Sequence, residues 1–478
     1  GPFAGYLPAR PCRAPPLWIA LEHIIIRKVP MTQSPEELCH ALIAAARKAD
    51  ADAADALTAE GTSVSIEVRT GALEHAERSE GTDLGLRVFV GKRQAIVSAS
   101  DMRPETLAAM AERAVAMARE APEDPYTGLA AADQLAQEWD IAALELEDPA
   151  PEPAPDALQA DALAAEAACA AVDGITQVQS AAAGYGRSRV HMAASNGFSG
   201  GYSRTSRSVS CVGIAGTGTG MERDHDGDSR TFQSDLRRPE EIGRTAGERA
   251  VARHGARKPA TGTYPVLFDE RISSSLIGHL LSAANGAAIA RGSSWLKDCL
   301  GQQILPAHLS VAEDPFRPRI SGSRPFDGEG LPTRRRDIIE NGVLTGWTLD
   351  LASARKLGLE STGNAARGAG SIPSPANWNI SLTQGDASRA NLIRDMGTGL
   401  LVTSMIGSTI NPNTGDYSRG ASGFWVENGE IAYPVNECTI AGNLLDMLKR
   451  IQPANDARTY LSRVVPSILI EGMTLAGN

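Results

Sequence analysis

The sequence is poor in several features that mark particular classes of protein. Aromatic residues make up only 5% of the 478 residues, and no run approaches the roughly 18 apolar residues that a membrane-spanning helix needs. The six cysteines are scattered, with neither a Cys-x-x-Cys pair nor the spacing of a disulfide framework. We therefore expect a cytoplasmic protein without a membrane span.

Positive charge is also scarce. The formal net charge is −11 at pH 7, because 57 Asp and Glu outnumber 46 Lys and Arg. This balance argues against direct binding of nucleic acid over a broad face. A chain of this length exceeds what one hydrophobic core usually serves, so we expect two or three domains.

The sequence also lacks a local zinc-hydrolase helix. Such a helix carries two His about one turn apart, so that both imidazoles reach one ion, and usually a Glu that acts as base. The closest two of the eight His are seventeen residues apart, and no His is followed by Glu. His279 lies in an apolar stretch, where a lone His is more typical of a core or interface residue than of a metal ligand.

Two other polar segments are weak candidates for chemistry. Residues 224–228 (Asp-His-Asp-Gly-Asp) have the composition of a metal loop but lack the EF-hand spacing, so we predict a turn with a solvated rim. Residues 213–220 are rich in Gly, but no Lys-Ser or Lys-Thr follows them, which makes a phosphate-binding loop a poor interpretation.

The order of segments predicts an α+β protein, in which an N-terminal α/β region with helices packed on a sheet precedes a β-rich C-terminal domain of sandwich or barrel type. Helical patterns cover 35–49, 104–120 and 157–172, and short strands are expected from 176 to 220. We divide the chain into five parts: a non-native or disordered extension (1–30), an N-terminal α/β domain (31–147), a Pro-rich linker (148–156), a central α/β region (157–258) and the β-rich C-terminal domain (259–478).

A clear hairpin signature lies near residue 428. Asn428-Gly429 favours a type I′ turn, which pairs Val426 with Ile431 and places Glu427 opposite Glu430.

The same pairing places Phe424 opposite Tyr433. Before this hairpin, Asp416, Tyr417, Ser418, Arg419 and Gly420 are predicted to form a polar loop at its base. Such a loop suits a binding site, and a purely structural loop is the alternative.

Several motifs together resemble those of the TldD/PmbA family, and within it the PmbA (TldE) branch of metalloprotease-related subunits. The motifs are Ser293-Ser294-Trp295-Leu296, Pro325-Phe326-Asp327-Gly328-Glu329-Gly330, Ser353-Ala354-Arg355-Lys356-Leu357, Met396-Gly397-Thr398-Gly399-Leu400 and the block from Gly415 to Gly442. The resemblance extends from about residue 35 to the C-terminus. It also carries the older label "modulator of DNA gyrase" and a link to peptide maturation.

The resemblance implies a cytosolic TldD–TldE heterodimer that cleaves unfolded peptides. In the TldD-like partner, zinc is held by His-Glu-x-x-x-His on a helix and by a Cys near the C-terminus. Placing that motif on this chain puts Ile277 and Gly278 at the His-Glu positions, Ser282 at the second His and Val465 at the Cys. We therefore expect no cofactor in this chain and zinc in the partner.

These observations predict a non-catalytic subunit that supplies surface to a TldD-like metalloprotease and its peptide substrate. The candidate contact residues are His279, Asp416, Tyr417, Ser418, Arg419 and Gly420. A homodimer is an alternative state of the isolated chain. Two other functions stay open: a self-sufficient metallopeptidase with an atypical site, and a non-enzymatic interaction module that acts on gyrase.

Overall fold

The computed structural model describes residues 33–477, so the predicted extension at 1–30 lies outside the described residues. Helices in this range are α1 (Pro35–Lys48), α2 (Pro104–Glu120), α3 (Pro155–Ala170), α4 (Pro239–Ala252), α5 (Ser274–Ala283), α6 (Gly286–Ala290), α7 (Leu351–Leu357), α8 (Arg389–Met396) and α9 (Leu444–Leu448). No helix of the described residues is long and apolar enough to cross a membrane.

The strands of the N-terminal half are β1 (Ala53–Arg69), β2 (Ala72–Val90), β3 (Arg93–Ala99), β4 (Ile175–Ala194), β5 (Ser199–Ala215) and β6 (Glu222–Arg230). They form one antiparallel sheet in the order β3-β2-β1-β4-β5-β6. β1 pairs with β4, so this sheet joins strands from both sides of the Pro-rich segment at 148–156, while the predicted domain boundaries remain predictions.

The expectation of short strands between 176 and 220 is wrong, because β4 and β5 have 20 and 17 residues. Ser, Gly and Ala have weak strand preferences, which made the segment look interrupted. In the folded chain each strand is held along its length by antiparallel neighbours, and this pairing outweighs the local preference.

Helices cover one face of this sheet. Alternation along β1 places Ala54, Ala56, Val64 and Ile66 on the side that packs beneath the helices. The helices α1 and α2 cover one end of that face, and α3 and α4 cover the other. The opposite face of the sheet is directed towards the C-terminal half of the chain.

The C-terminal half contains β7 (Gly262–Phe268), β8 (Val311–Glu313), β9 (Arg336–Glu340), β10 (Val343–Leu344), β11 (Ala365–Ala366), β12 (Ser374–Pro375), β13 (Ile380–Leu382), β14 (Gly399–Ile410), β15 (Asp416–Glu427), β16 (Glu430–Asn443), β17 (Ile451–Pro453), β18 (Arg463–Val464) and β19 (Ile468–Ala476). β16, β15, β14, β7 and β19 follow one another, and β16 also pairs with β19, which closes a five-stranded barrel. A second sheet has the order β10-β9-β8-β13-β18. The predicted α+β class is confirmed.

The two halves meet through a buried ionic cluster. Asp55 on β1 accepts hydrogen bonds from Arg87 and Arg367, and all three side chains are at most 5% exposed. The neighbouring Asp327 accepts from the backbone N–H of residues 329, 331 and 365. Glu329 accepts from the first residue of α7 at 2.9 Å. Such a cluster fixes geometry, because losing one partner leaves a buried charge unpaired.

The turn of the predicted hairpin is confirmed. Asn428 and Gly429 both have positive φ (52° and 77°), as a type I′ turn requires. Val426 pairs with Ile431, and the two Glu beside the turn face each other. Val426 is buried and Ile431 is 49% exposed, so the pair does not lie wholly in the core.

The predicted pairing of Phe424 with Tyr433 is wrong. Trp425 lies opposite Tyr433, and Phe424 lies opposite Pro434, because the register shifts between residues 425 and 426. Proline has no N–H to donate to the ladder, and such residues are found at strand irregularities of this kind.

Residues 416–420 are also not a loop, because they form the first residues of β15, between β14 and β16. The segment was interpreted from its Gly and polar content, and pairing on both sides overrides that preference.

The predicted solvated turn at 224–228 is likewise wrong. These residues lie within β6, and Asp224, Asp226 and Asp228 are at most 8% exposed. Their carboxylates form ion pairs with arginines that surround them, among them Arg237 and Arg249. An acid at every second position was a period-two signal for one face of a strand.

Candidate partner- and peptide-binding site

Helix α5 lies at the centre of the candidate site. Leu276, Ile277 and Leu280 are fully buried in the core of the C-terminal half. They lie on the same side of the helix, because residues three or four positions apart share one face. The other side of the helix carries small and polar residues at 274, 275, 278, 279 and 282, which are less buried. On this side of α5, small and polar side chains and parts of the main chain are accessible to a binding partner.

The four positions that were matched to the zinc motif lie in different surroundings. Ile277 is 0% exposed and Val465 is 3% exposed, so both side chains belong to the core. Gly278 lies beside the guanidinium of Arg463, whose Nη1 is 2.9 Å from where a Cβ would stand. Ser282 is exposed. The correspondence with the motif remains a prediction.

His279 lies against Tyr417 of β15. The two rings have their centroids 5.9 Å apart and are tilted by 72°, which is an edge-to-face contact. Burial lowers the pKa of His279, and the positive charge of Arg419 lowers it further. The Nε2 atom is buried and has no hydrogen-bond partner among the described residues. The imidazole is therefore neutral near pH 7 and has an unused polar atom.

Tyr417 is held firmly in place. Its side chain is 2% exposed, and its O–H donates to the sulfur of Met405 at 3.5 Å. Burial raises the pKa of Tyr417 to about 12, so the phenol keeps its proton at physiological pH. The residue supports the imidazole and does not act as an anion.

Strand alternation divides the other predicted contact residues. Tyr417 and Arg419 are directed to the side of His279, and Arg419 Nε donates to the backbone oxygen of residue 407 at 2.8 Å. Asp416, Ser418 and Gly420 alternate with them on β15. Asp416 is exposed and accepts hydrogen bonds from Thr414 and Asn443, which lower its pKa. The structure thus brings three of the six predicted residues together.

The donor set of this site is poor for a metal. Within residues 33–477 no group of three or more His, Cys, Asp and Glu is arranged to hold an ion. His279 is the single side chain of α5 that commonly ligates zinc, whereas catalytic zinc sites use three protein ligands. The cationic Arg419 beside it would repel a divalent cation.

Sequence reasoning missed a large cleft near this helix. A cavity of about 880 Å³ lies between the free face of the N-terminal sheet and the C-terminal half, and it includes Ser274 of α5 and Arg463. Its charged residues are far apart in the sequence, so no local motif could have predicted it. The strand topology brings them together.

Comparison with protein-family models gives three matches along the chain. The PmbA/TldA metallopeptidase domain 1 matches residues 54–118, the central domain matches 148–253 and the C-terminal domain matches 261–477. Together these matches cover well over half of the sequence.

Similar proteins and structures agree with these matches. The chain is 39% identical to Metalloprotease PmbA of Escherichia coli O157:H7, over 89% of this chain and 92% of that protein. It is 37% identical to the Metalloprotease PmbA homolog of Haemophilus influenzae, over 91% and 94% of the two chains.

Among solved structures, a protein of Bacteroides thetaiotaomicron named as a modulator of DNA gyrase has a TM-score of 0.85 and 28% identity, over 92% of this chain and 98% of that one. The fold is also that of TldE from Thermococcus kodakarensis, with a TM-score of 0.80 at 22% identity, over 92% and 100% of the two chains.

Proposed function

The chain belongs to the PmbA/TldD metallopeptidase family, and from this premise we propose that it is the TldE-type subunit of a cytoplasmic TldD–TldE zinc metalloprotease that acts on unfolded peptides. In this proposal the chain holds no metal of its own. It supplies surface that contacts a TldD-like partner and the peptide, and the partner carries the zinc.

One observation carries the proposal. The polar side of α5 presents a single zinc-binding side chain, His279, and a guanidinium lies close enough to lower its pKa. Three ligands and an open coordination position are needed for metal-assisted hydrolysis, so this arrangement favours a non-catalytic role. Among the described residues Nε2 of His279 has no hydrogen-bond partner, which supports a contact role, because buried polar atoms in proteins nearly always have one.

The part of β14 that extends beyond the barrel supports peptide capture. β7 pairs with β14 at residues 400–402, so residues 403–410 have β15 as their single paired strand among the described residues, and Ile406 is 77% exposed. Extended peptides bind such edges through main-chain hydrogen bonds, which tolerate many sequences. The same exposed segment offers an apolar contact for a partner subunit.

Cleavage of an unfolded, fluorescently quenched peptide tests the proposal. The chain, a TldD-like protein from the same organism, and a mixture of both are assayed separately. We expect the mixture to cleave and the chain alone to be inactive. Cleavage by the chain alone would overturn the proposal, and so would recovery of gyrase without any TldD-like protein in a pull-down.

Site variants refine the test. Arg419→Gln and Asp416→Ala are expected to reduce the activity of the mixture by roughly threefold to tenfold, the range for interface contacts of about 1 kcal/mol. Arg394→Gln is a matched control, because Arg394 is 67% exposed and lies on α8, which packs near the opposite end of β15, at Val426. Equal activity of all variants would remove β15 from the proposed contact surface.

A further inference from the structure

The cleft of about 880 Å³ has a floor of small residues. Alternate positions of the N-terminal sheet contribute Gly61, Ser63, Gly81, Gly186 and Ser188 to its lining. Because these side chains are small, the cleft is deep above the sheet, and backbone and hydroxyl groups of the sheet are accessible. The floor is therefore polar and roomy, unlike the aromatic and aliphatic pockets that hold small apolar ligands.

The walls of the cleft are rich in arginine. The described lining contains seven arginines and three carboxylates, and five of the arginines form ion pairs, four of them with carboxylates just outside the lining. The arginines are Arg187, Arg204, Arg230, Arg271, Arg319, Arg458 and Arg463. An arginine that stays unpaired in a cleft with low-dielectric walls attracts the opposite charge.

Two of these arginines have no carboxylate partner among the described residues. Within residues 33–477 Arg204 donates hydrogen bonds to the backbone oxygens of Ser321 and Ser323 and to no carboxylate. Arg463 is exposed and forms no ion pair within the described range. By contrast, Arg458 is bound to Glu270 at 2.7 Å. Arg204 and Arg463 can therefore pair with an incoming anion without breaking an internal ion pair.

We propose that this cleft binds acidic segments of extended polypeptides, with carboxylates of the segment on Arg204 and Arg463. Because Arg463 lies beside Gly278, a segment bound there would reach α5. The proposal rests on the proposed function only in identifying the bound segment as substrate. Binding itself is a property of this chain.

A polypeptide fits the cleft better than a single-stranded nucleic acid does. Proteins that bind single strands stack the bases on aromatic side chains. Tyr460 is the one aromatic residue in the described lining, and the guanidinium of Arg230 lies over its ring at 3.4 Å. The described lining thus offers a base one aromatic ring, one face of which is already covered, whereas Arg204 and Arg463 remain available to carboxylates.

Fluorescence anisotropy with the purified full chain tests the proposal. The probes are labelled 12-residue peptides in which Gly alternates with Glu, or with Gln as the neutral match. We expect the Glu peptide to bind at least tenfold more tightly than the Gln peptide at low salt. Its affinity should fall as the salt concentration is raised. Arg463→Gln and Arg204→Gln should each lower the affinity for the Glu peptide by roughly twofold to fivefold, the range that exposed ion pairs contribute.

Arg113→Gln is the matched control, because Arg113 is exposed on α2, outside the cleft, and has no ion pair within the described range. It should leave binding unchanged. Equal affinity for the two peptides would overturn the proposal, as would unchanged binding in both cleft variants. Tighter binding of a 12-nucleotide single strand that is lost in the same variants would assign the cleft to nucleic acid instead. The assay needs no partner and no cleavage, so its failure leaves the proposed function standing.

Discussion

Glu329 offers a quantitative test of the buried cluster between the two halves. The residue is 8% exposed, and its Oε2 accepts a hydrogen bond from the backbone N–H of Leu351 at 2.9 Å. Burial raises the pKa of Glu329 to about 8, and the neighbouring Asp327 adds to the effect. The carboxyl group therefore holds its proton in the folded protein under conditions in which the unfolded chain has lost it.

The consequence for stability follows from proton linkage. The folded state binds this proton more tightly than the unfolded chain, whose Glu has a pKa of 4.5. The resulting stabilisation is complete below the unfolded pKa and is lost as the pH rises to about 8. One proton corresponds to about 1.4 kcal/mol per pH unit, so the loss between pH 5 and pH 8 is about 4 kcal/mol at most. The pKa of about 8 already includes the effect of Arg87, which favours the ionised form.

Urea denaturation of wild type and Glu329→Gln at pH 5 and pH 8 measures the effect. At pH 5 we expect similar stability, because an amide also accepts from Leu351 N–H. At pH 8 the variant should be more stable than wild type, by about 2 kcal/mol or more. Glu112→Gln, on the exposed side of α2, is the control and should leave the pH dependence unchanged. A variant that is less stable than wild type at pH 8 would show that Glu329 is ionised and would refute the reasoning.

Two further predictions concern the barrel and the imidazole. A Cβ at Gly423 would lie 1.9 Å from the backbone oxygen of Leu401, so Gly423→Ala should lower the free energy of unfolding by about 3 kcal/mol or more. In the control Gly346→Ala, the added Cβ has nothing within 4 Å, and the free energy of unfolding should change by less than about 0.5 kcal/mol. Equal effects of the two substitutions in thermal unfolding would contradict this prediction. Arg419→Gln should raise the pKa of His279 in an NMR titration, while burial keeps it below the ordinary value, and an unchanged or lower pKa would count against the arrangement.

Local signals in the sequence were enough to predict the helix at 104–120 and the hairpin turn at 428–429. The helical pattern at 104–120 matches α2, whose first residue is Pro104, because Pro is favoured in the first turn of a helix and the apolar residues repeat every three to four positions. The Asn-Gly pair at 428–429 fixed the hairpin turn, since few residues accept positive φ at both positions. These features depend on neighbours in the sequence, which is why they could be predicted.

Features that depend on contacts between residues far apart in the sequence were predicted wrongly. Residues 416–420 look like a loop until β14 and β16 pair with them on both sides. The Asp residues at 224–228 look solvated until the arginines of α4 and its surroundings neutralise them. The second error could have been avoided, because an acid at every second position fits one face of a strand. The first could not be avoided from composition.

The candidate site was predicted in part. His279, Tyr417 and Arg419 are separated by up to 140 positions and were chosen for different reasons, yet they lie together on α5 and β15. His279 was chosen as a lone His in an apolar stretch, and residues 416–420 were chosen as a polar segment beside the hairpin. The arginine-lined cleft had no counterpart in the sequence, because its charges come from both halves of the chain.

The zinc content of the purified chain tests the central claim most directly. The chain alone, and its complex with a TldD-like protein, are each incubated with zinc, passed through a desalting column and measured by elemental analysis. We expect far less than one zinc per chain for the protein alone and about one zinc per heterodimer for the complex. One tightly held zinc in the chain alone, abolished by His279→Ala and accompanied by peptide cleavage, would contradict this claim.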